Sequence, residues 1–327
     1  MKVLVTGATS LLGRATVDLL IARGDDVTVF QRSEFGGPVS DAVSEVLGDI
    51  NNPDDVAAAV DGQSAIIHLA AKVAAVGQWH DFARVNIEGT EGLLNSARQA
   101  GVGRVVHVSS PSVAHGGDAL VGVGANPADP TATEGGYATS KAYGELSALA
   151  ASRPTMPVVA IRPHLVWGPG DEQLVGRIVE RARSGRLAII GSGGALIDST
   201  YVTNAADALV AALDRAPDLA GRALVVSNGE PRMVSELVTR IVLAAGLAAP
   251  KKRVPTAVAI RAGAAAERVW SRLGRTDDPP MTRFLAEQLS TAHWFDQRET
   301  RAALGWVPAV SLDEGFRRLA ASFAGSL

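Results

Sequence analysis

Short apolar segments alternate with longer stretches of helical periodicity through the first half of the chain. The apolar segments predict strands, and the amphipathic stretches predict helices that cross over from one strand to the next. Because parallel strands need such crossovers, the pattern predicts an α/β fold with a doubly wound parallel sheet covered on both faces. The strands are predicted over residues 2–6, 26–31, 43–47, 65–69, 104–108 and 158–162, and the helices over 12–23, 54–60, 81–100 and 137–152.

A glycine-rich turn joins the first predicted strand to the first predicted helix. It runs from Thr6 to Gly13, with Ser10 where the usual spacing has a glycine. Such a turn lets the backbone approach a pyrophosphate, which then lies at the N-terminus of the helix. The turn therefore predicts a dinucleotide site of the Rossmann type. Its predicted contacts are Gly7, Thr9, Ser10, Leu11, Leu12 and Gly13.

The end of the second predicted strand indicates which dinucleotide binds. An acidic residue there would accept a hydrogen bond from the ribose 2′-hydroxyl of NAD. This chain has Gln31-Arg32 instead, so a carboxylate is absent and a guanidinium is present that can pair with a 2′-phosphate. The sequence thus predicts NADP, with NAD the less favoured cofactor. A solvent-exposed loop position is the alternative role for Arg32.

The ends of the third and fourth predicted strands border the same cofactor. Asp49 can accept a hydrogen bond from the adenine amino group, while Ile50 packs against the ring; a turn or capping aspartate is the alternative. Leu69, Ala70 and Ala71 follow the fourth strand, where small side chains leave room for the cofactor.

A tyrosine and a lysine four residues apart predict catalytic chemistry. Tyr137 and Lys141 share one face of a helix, and a nearby ammonium favours phenolate and so lowers the pKa of a tyrosine. Tyr137 can then exchange a proton with a carbonyl or alcohol oxygen. Ser109 and Ser110, at the end of the fifth strand, offer a hydroxyl to hold that oxygen. The spacing alone is common, and satisfied strand-end serines are the alternative.

Together these segments resemble the extended short-chain dehydrogenases/reductases of the NAD-dependent epimerase/dehydratase superfamily, over nearly the whole chain. The matching segments are residues 6–13, 49–50, 69–71, 86–90, 109–110, 137–141, 162–163 and 168–170. The resemblance implies hydride exchange with a nicotinamide, with Ser110, Tyr137 and Lys141 as catalytic residues. It also implies that Tyr137 and Lys141 contact the cofactor and that Pro163 lies near the nicotinamide amide.

Within that family, residues 198–208, with Asn204, resemble the 3β-hydroxysteroid dehydrogenase branch. Residues 110–117 are similar to members of the branch that reduce 2-alkyl-3-oxoalkanoic acids with NADPH. The resemblance implies an oxidoreductase that interconverts a 3-oxo and a 3-hydroxy group on an apolar substrate of one of these two kinds. Apolar residues near the expected site agree with this, although core packing is their alternative role. They are Val166, Trp167, Leu174, Leu196 and Ile197.

Two alternative functions are open. A nucleotide-sugar epimerase or dehydratase would share the fold, but Ile197 precedes Asp198 where such enzymes often carry a diphosphate-binding arginine. In addition, Pro111-Ser112 stands where a dehydratase needs an Asp-Glu pair. The alternative of another class is a non-enzymatic NADP-binding regulator, against which the retained tyrosine and lysine count.

The second half of the chain has shorter and less regular elements. Helices are predicted over 172–185, 205–215 and 235–245, and strands over 187–190, 201–202 and 223–226. These elements predict a smaller substrate-binding lobe at the carboxyl edge of the sheet, where ligands of such folds bind. We expect an NADP-binding Rossmann domain over residues 1–165 and the lobe over most of 166–327, with some segments returning to the first domain. Residues 116–136 predict a long loop bordering the site.

The amino-acid composition limits the classes of partner and cofactor that we expect the chain to bind. A net charge of −3 gives no basic footprint for nucleic acid. The chain has no cysteine, which excludes disulfides and thiolate catalysis, and its six histidines show no paired ligand spacing, so no metal is predicted. No run of ~18 uninterrupted apolar residues predicts a transmembrane helix, and no targeting segment precedes the first strand, so we expect a cytoplasmic protein.

Two helical segments predict contacts with other surfaces. Residues 254–273 form an amphipathic or buried helix by their pattern, which leaves peripheral membrane contact open. The predicted helices 81–100 and 137–152 carry more apolar residues than one sheet face can cover. In the family that the chain resembles this helix pair forms a dimer interface, so we expect a homodimer.

Overall fold

The structure is a computed structural model that describes residues 1–37, 42–273, 279 and 281–325. Its strands are β1 (Lys2–Thr6), β2 (Asp26–Gln31), β3 (Ser44–Leu47), β4 (Ala65–His68), β5 (Val105–Val108), β6 (Leu120–Val123), β7 (Val158–Pro163), β8 (Val166–Trp167), β9 (Ile189–Ile190), β10 (Leu196–Ile197), β11 (Thr200–Tyr201), β12 (Ala223–Val226), β13 (Arg232–Met233), β14 (Arg253–Val254) and β15 (His293–Phe295). Its α-helices are α1 (Leu11–Ala22), α2 (Pro53–Val60), α3 (Trp79–Ala83), α4 (Gly89–Gln99), α5 (Gly135–Ala150), α6 (Arg177–Arg183), α7 (Val202–Arg215), α8 (Val234–Ala244), α9 (Thr256–Arg272), α10 (Arg283–Gln288), α11 (Arg298–Leu304) and α12 (Leu312–Ala324).

Seven parallel strands form the central sheet in the order β12-β7-β5-β4-β1-β2-β3. From β1 the chain moves outward through β2 and β3, and then crosses to the other side to add β4, β5, β7 and β12 in turn. The predicted doubly wound sheet is therefore confirmed. Its direction of winding reverses between β1 and β4, and such a reversal opens a crevice at the carboxyl ends of the strands.

Alternation along each strand builds a core on both faces of the sheet. On one face Val5 and Ile67 lie fully buried with Leu209 of α7. On the other face Leu4 lies buried with Leu93 of α4. Both layers are close-packed helix against strand, which holds the carboxyl edge of the sheet rigid as a platform for side chains from the loops.

Two segments join sheets that the sequence analysis does not predict for them. Strand β12, expected among the elements of the lobe, pairs in parallel with β7 and extends the central sheet, because Leu224 and Val226 fit the buried core of that face. The region 116–136, expected to be a long loop, contains β6, which pairs with β15 of the lobe. The chain thus passes between the two parts of the molecule in both directions.

The lobe is built around a four-stranded sheet of order β13-β10-β15-β6 and its own apolar core. Trp167 lies at the centre of that core, stacked on Phe316 at 4.6 Å and edge-to-face with Tyr201 at 5.6 Å between ring centroids. Its indole Nε1 donates to Ser199 Oγ at 3.0 Å. Trp167 and Ile197 are 0% and 4% exposed, so the core-packing alternative is correct for these two residues.

The helices within the described ranges include none that combines the length and apolarity needed to cross a membrane.

Candidate active site

A cleft of about 750 Å³ opens at the carboxyl edge of the sheet, beside the end of β1. The residues that line it come from the turns after β1, β2, β3 and β4. Those predicted from the sequence to hold a cofactor are Gly7, Thr9, Ser10, Gln31, Arg32, Asp49, Ile50, Leu69, Ala70 and Ala71. The structure therefore brings most of the predicted cofactor residues into one cleft.

The turn after β1 is shaped by two close backbone approaches. Gly7 has φ +68°, and a Cβ on it would lie 2.8 Å from the Ala70 nitrogen. A Cβ on Gly13 would lie 2.5 Å from the Gly7 carbonyl oxygen. Ser10 has an ordinary φ of −68° and caps α1: its hydroxyl accepts from Gly13 N at 3.0 Å and donates to Gly7 O at 2.9 Å. A glycine is therefore not required at position 10.

The remaining predicted contacts of this turn lie inside α1. Leu11 packs against the core of the lobe and Leu12 against the core of the sheet, so both would reach a ligand only through the backbone. The first turn of α1 directs its free N–H groups and the positive end of its dipole towards the cleft. A glycine cradle without room for Cβ atoms and a helix N-terminus together fit the pyrophosphate of a dinucleotide.

The end of β2 holds a carboxylate that sequence reasoning missed. Glu45, from the neighbouring strand β3, accepts from Gln31 Nε2 at 3.2 Å and from Phe35 N at 2.5 Å. These two donors from the protein occupy its Oε1. Arg32 is exposed at the rim, so a guanidinium, rather than a carboxylate, is the charged group that β2 itself presents.

Asp49 has the turn-capping role considered for it, and it also lines the cleft. Its Oδ1 accepts from the backbone N of Asn51 at 2.9 Å and from Asn51 Nδ2 at 2.7 Å, which makes it a turn-capping aspartate. The backbone hydrogen bond from Asn51, with smaller contributions from Arg84 and Arg32, holds the pKa of Asp49 below its usual value. Its Oδ2 lies 4.0 Å from Arg84 Nη2 at the cleft.

Three charged cleft residues carried no sequence signal. Lys72, Asp81 and Arg84 lie between β4 and α4, where the predicted single helix 81–100 is divided into α3, a π-helical turn Arg84–Glu88 and α4. Lys72 Nζ lies 2.8 Å from Asp81 Oδ2. No motif of the sequence marks these positions: Lys72 lies in the loop after β4, Asp81 in α3 and Arg84 in the π-helical turn.

Ser110 and Tyr137 meet through their hydroxyl groups. A side-chain hydrogen bond joins them, and it acts against burial, which raises the pKa of Tyr137. Ser110 Oγ also lies 2.9 Å from Ser112 Oγ. Ser109, the neighbouring candidate, is 6% exposed, and its Oγ finds no hydrogen-bond partner among the described residues. Of the two strand-end serines, Ser110 is the one that the fold brings to the tyrosine.

Lys141 lies on the same helix as Tyr137 but is directed into the sheet. It is 3% exposed, and its Nζ donates to the Val108 carbonyl oxygen at 2.7 Å. Burial lowers the pKa of Lys141 from 10.5 to about 8. The expected lowering of the Tyr137 pKa by this ammonium was wrong in direction, because desolvation of the phenol dominates and raises that pKa.

A buried ion pair holds the catalytic helix against the sheet. Glu145, on α5, accepts from Arg162 Nε at 2.8 Å and Nη2 at 2.5 Å, and both side chains are at most 1% exposed. Arg162 Nη1 donates to the Asn126 carbonyl at 2.7 Å. Because Tyr137, Lys141 and Glu145 are spaced four residues apart, the ion pair fixes the helix face that carries all three.

A chain of neutral hydrogen bonds runs beneath the cleft. Thr90 Oγ1 donates to the Asn86 carbonyl at 2.9 Å, so at 3.0 Å His68 Nε2 must donate to Thr90. His68 Nδ1 then accepts from Thr6 Oγ1 at 2.7 Å. Burial lowers the pKa of His68 to about 3, with the Lys141 charge acting in the same direction. The histidine is therefore a neutral structural link between β1, β4 and α4.

Asn86 connects the cleft to the catalytic helix. Its Oδ1 accepts from Lys72 N at 2.7 Å, while its Nδ2 donates to Lys72 O at 3.1 Å and to Ser140 Oγ at 2.9 Å. Ser140 Oγ donates in turn to the Tyr137 carbonyl at 2.9 Å. Asn86 therefore links the loop after β4 to α5 through its side-chain amide.

The turn after β7 carries the last of the predicted cofactor contacts. Pro163, the predicted neighbour of the nicotinamide, ends β7 and pairs with Val226. Leu165 has φ +43°, a left-handed conformation that is rare for a branched residue. The adjacent His164 is one of three histidines near this edge, and burial lowers its pKa to about 3.

Across the described residues, no group of three or more His, Cys, Asp or Glu side chains is arranged to hold a metal ion.

Comparison with known proteins supports one family. The model of the NAD dependent epimerase/dehydratase family matches residues 3–227. The 2-alkyl-3-oxoalkanoate reductase of Stenotrophomonas maltophilia is 42% identical over 99% of this chain and 100% of that protein. The 3-beta-hydroxysteroid dehydrogenase of Mycolicibacterium neoaurum is 29% identical over 96% and 88%. The predicted resemblance is confirmed.

A solved structure agrees with the fold. The UDP-glucuronic acid 4-epimerase of Bacillus cereus, in complex with NAD, superposes with a TM-score of 0.75 over 100% of this chain and 99% of that chain. Its 20% sequence identity makes this a similarity of fold alone.

The buried Lys141 predicts a pH dependence of stability. Below pH ~8 Lys141 is charged in both states, and burial of the ammonium destabilises the folded chain. Between about pH 8 and 10.5 Lys141 is neutral in the folded chain and still charged in the unfolded chain. The free-energy cost of burying the ammonium therefore disappears as the pH rises through this interval. Lys141→Met removes the titrating group. Relative to this variant, the free energy of unfolding of the wild type should rise by about 3 kcal/mol across that interval, as measured by urea unfolding. Lys251→Met, at an exposed position, is the control; a difference independent of pH would contradict the buried charge.

Proposed function

Since this chain belongs to the NAD dependent epimerase/dehydratase family, we propose that it is an NADP-dependent oxidoreductase. It interconverts a 3-oxo and a 3-hydroxy group on an apolar substrate, of the 2-alkyl-3-oxoalkanoic acid or the 3β-hydroxysteroid type. The observation that carries this proposal is the hydrogen bond between the Ser110 hydroxyl, after β5, and the hydroxyl of Tyr137, which shares a face of α5 with Lys141. A carbonyl oxygen held between two hydroxyl donors is polarised and can receive a proton.

In the reductive direction each side chain of the site has a distinct role. Burial raises the pKa of Tyr137, so at neutral pH the phenol keeps its proton and acts as a general acid. Ser110 orients the substrate oxygen, and Ser112, whose Oγ lies 2.9 Å away, orients the hydroxyl of Ser110. Lys141 supports the site as a cation fixed by the Val108 carbonyl. The nicotinamide cofactor supplies the hydride that the carbonyl carbon accepts.

The substrate class follows from the relatives and from the apolar turn after β7. The 42% identity over the full length of a 2-alkyl-3-oxoalkanoate reductase favours the 3-oxo acid over the steroid. Leu165 and Val166, both partly buried, add apolar surface directly after Pro163. An apolar chain beside the reacting carbonyl would bind there by burial of its surface.

Cofactor choice rests on the charges around the cleft. Arg32 and Arg84 both line it, whereas the Oε1 of Glu45 is occupied by two hydrogen-bond donors from the protein. Two guanidinium groups at the ribose end favour a 2′-phosphate through charge-assisted hydrogen bonds. This supports NADP over NAD.

Removal of the proton donor tests the mechanism. In Tyr137→Phe the ring remains and the hydroxyl is lost, so reduction of a 2-alkyl-3-oxo acid should fall by about 10²- to 10⁴-fold. NADPH affinity should remain within about twofold of the wild type. NADPH absorbance measures the rate, and fluorescence titration measures the affinity.

The matched control is Tyr143→Phe, which removes an exposed hydroxyl from the same helix and should leave both quantities unchanged. Near-normal turnover by Tyr137→Phe would show that another group gives the proton. Turnover of UDP-glucose, without turnover of any 3-oxo compound, would overturn the proposed function itself.

The arginine at the end of β2 tests cofactor choice. The wild type should bind NADPH more tightly than NADH. Arg32→Ala should weaken NADPH binding by about 10- to 100-fold, because it leaves the 2′-phosphate without a charged hydrogen bond, and should leave NADH binding unchanged. Isothermal titration calorimetry measures both constants, with Arg98→Ala, remote from the cleft, as control. Equal affinities of the wild type for the two cofactors would refute the NADP assignment.

A homodimer through α3 and α5 is the proposed assembly. Trp79, Tyr143 and Leu146 expose 46%, 44% and 42% of their surface, and the Trp79 and Tyr143 rings lie 6.3 Å apart. Such aromatic clusters are typical of protein interfaces. Sedimentation velocity should show a dimer for the wild type and a monomer for Leu146→Arg. Val307→Arg, at an exposed apolar site elsewhere, should remain dimeric; a monomeric wild type at micromolar concentration rules the assembly out.

A further inference from the structure

Helix α9 has an exposed face on which cations and apolar side chains form two adjacent rows. The exposed arginines are Arg261, Arg268 and Arg272, and the exposed apolar residues are Val258, Ala262, Ala265, Val269 and Leu273, which follows the helix. At 3.6 residues per turn, the three arginines lie within a sector of about 40° around the helix axis. The apolar residues occupy the adjoining sector of about 80°. The two rows run side by side along the helix.

The opposite face of α9 attaches the helix to the lobe. Ala259 is 5% exposed and lies in a small core with Ile190 and Ala286. Gly263 lets α10 approach so closely that a Cβ would lie 2.5 Å from the Thr282 carbonyl carbon. The fold therefore leaves the two-row face uncovered in the described part of the chain.

Within the part of the chain that the structure describes, no ion pair neutralises the arginines of this face. Glu267 is the acidic residue of the stretch 251–273, and its Oε1 accepts from the Arg283 backbone N at 2.9 Å, which directs it towards α10. None of the three arginines forms an ion pair with another residue in the ranges that the structure describes. The result is a local positive patch on a chain whose net charge is −3.

The segment before the helix extends the positive patch. Lys251, Lys252 and Arg253 are exposed, and the latter two donate to carbonyl oxygens, at 2.7 Å to Gly185 O and at 2.6 Å to Ser192 O. Because a carbonyl oxygen has no formal charge, these hydrogen bonds do not neutralise the two cations. Since the Debye length is about 8 Å at physiological salt, a surface that contacts the patch responds to these cations rather than to distant acids.

We propose that the two-row face of α9 binds the surface of a bilayer that contains anionic lipids, with the helix parallel to the membrane. The arginine stems cover the edge of the apolar row while their guanidinium groups reach lipid phosphates. Val258, Val269 and Leu273, which are 52%, 47% and 67% exposed, enter the headgroup region.

A membrane fits this face better than a protein partner does. Protein interfaces are centred on large aromatic anchors in a pocket, whereas this face has small aliphatic residues along one straight row. The proposal is independent of the chemistry of the cleft. A consequence for the enzyme is access to apolar substrates that are dissolved in the bilayer.

Vesicle flotation tests the proposal with the full chain. The probes are vesicles of equal parts phosphatidylglycerol and phosphatidylcholine, and vesicles of phosphatidylcholine alone. The wild type should float with the anionic vesicles only, and about 1 M salt, which shortens the Debye length to about 3 Å, should release it. The triple variant R261Q/R268Q/R272Q should partition about 100-fold more weakly, with an unchanged melting temperature because glutamine keeps the helix.

The matched control R98Q/R215Q/R317Q removes three exposed arginines from α4, α7 and α12 and should float like the wild type. A second variant, V258S/V269S/L273S, should retain weaker, salt-sensitive binding because its cations remain. Failure of the wild type to float with anionic vesicles overturns the proposal, as does an equal loss in the control. A change of oligomeric mass in the α9 triple variant would instead identify the face as an interface between copies of the chain.

Discussion

One buried ion pair determines where the proposed catalytic side chains lie. Glu145 and Arg162 join α5 to β7 through two parallel hydrogen bonds, with both side chains almost completely excluded from water. Removing one partner of such a pair leaves an uncompensated charge and costs about 3–5 kcal/mol, whereas the intact pair adds little net stability. Its effect is therefore geometric: with Glu145 fixed, the helix cannot rotate, and Lys141 and Tyr137 face the ends of β5 and β7.

The cleft and the catalytic helix are connected through groups that stay neutral. His68 lies between two threonine hydroxyls, and its low pKa of about 3 keeps it from competing with Lys141 for charge in the same interior. Asn86 then ties the backbone of Lys72, at the rim of the cleft, to Ser140 of α5. The buried ammonium of Lys141 is tolerated here because His68 stays neutral and because the negative charge of Glu145 acts against the desolvation of the ammonium.

The central sheet could be predicted from the sequence because each of its strands is a short apolar run. The turn after β1 could be predicted because glycines are required where its backbone approaches other backbone atoms closely. The sequence analysis predicts strand β12 as part of the lobe, because an apolar run such as 223–226 fits any buried sheet. Only its packing with α7 in the folded chain places it beside β7. The pairing of Glu145 with Arg162, 17 positions apart, has no sequence signature. Likewise, helical spacing showed that Tyr137 and Lys141 share a face, but the direction of the tyrosine pKa shift depends on desolvation, which is a property of the folded interior.

One residue in the turn after β7 has an energetically unfavourable backbone conformation. Leu165 holds a φ of +43° that costs about 1–2 kcal/mol for a residue with a Cβ. The surroundings enforce it: Thr200 donates its N–H to the Leu165 carbonyl at 3.1 Å and its hydroxyl to the His164 carbonyl at 2.7 Å. Asparagine or glycine would adopt this conformation at lower cost. The backbone geometry alone thus gives no reason for leucine, whereas its apolar side chain packs against the core of the lobe.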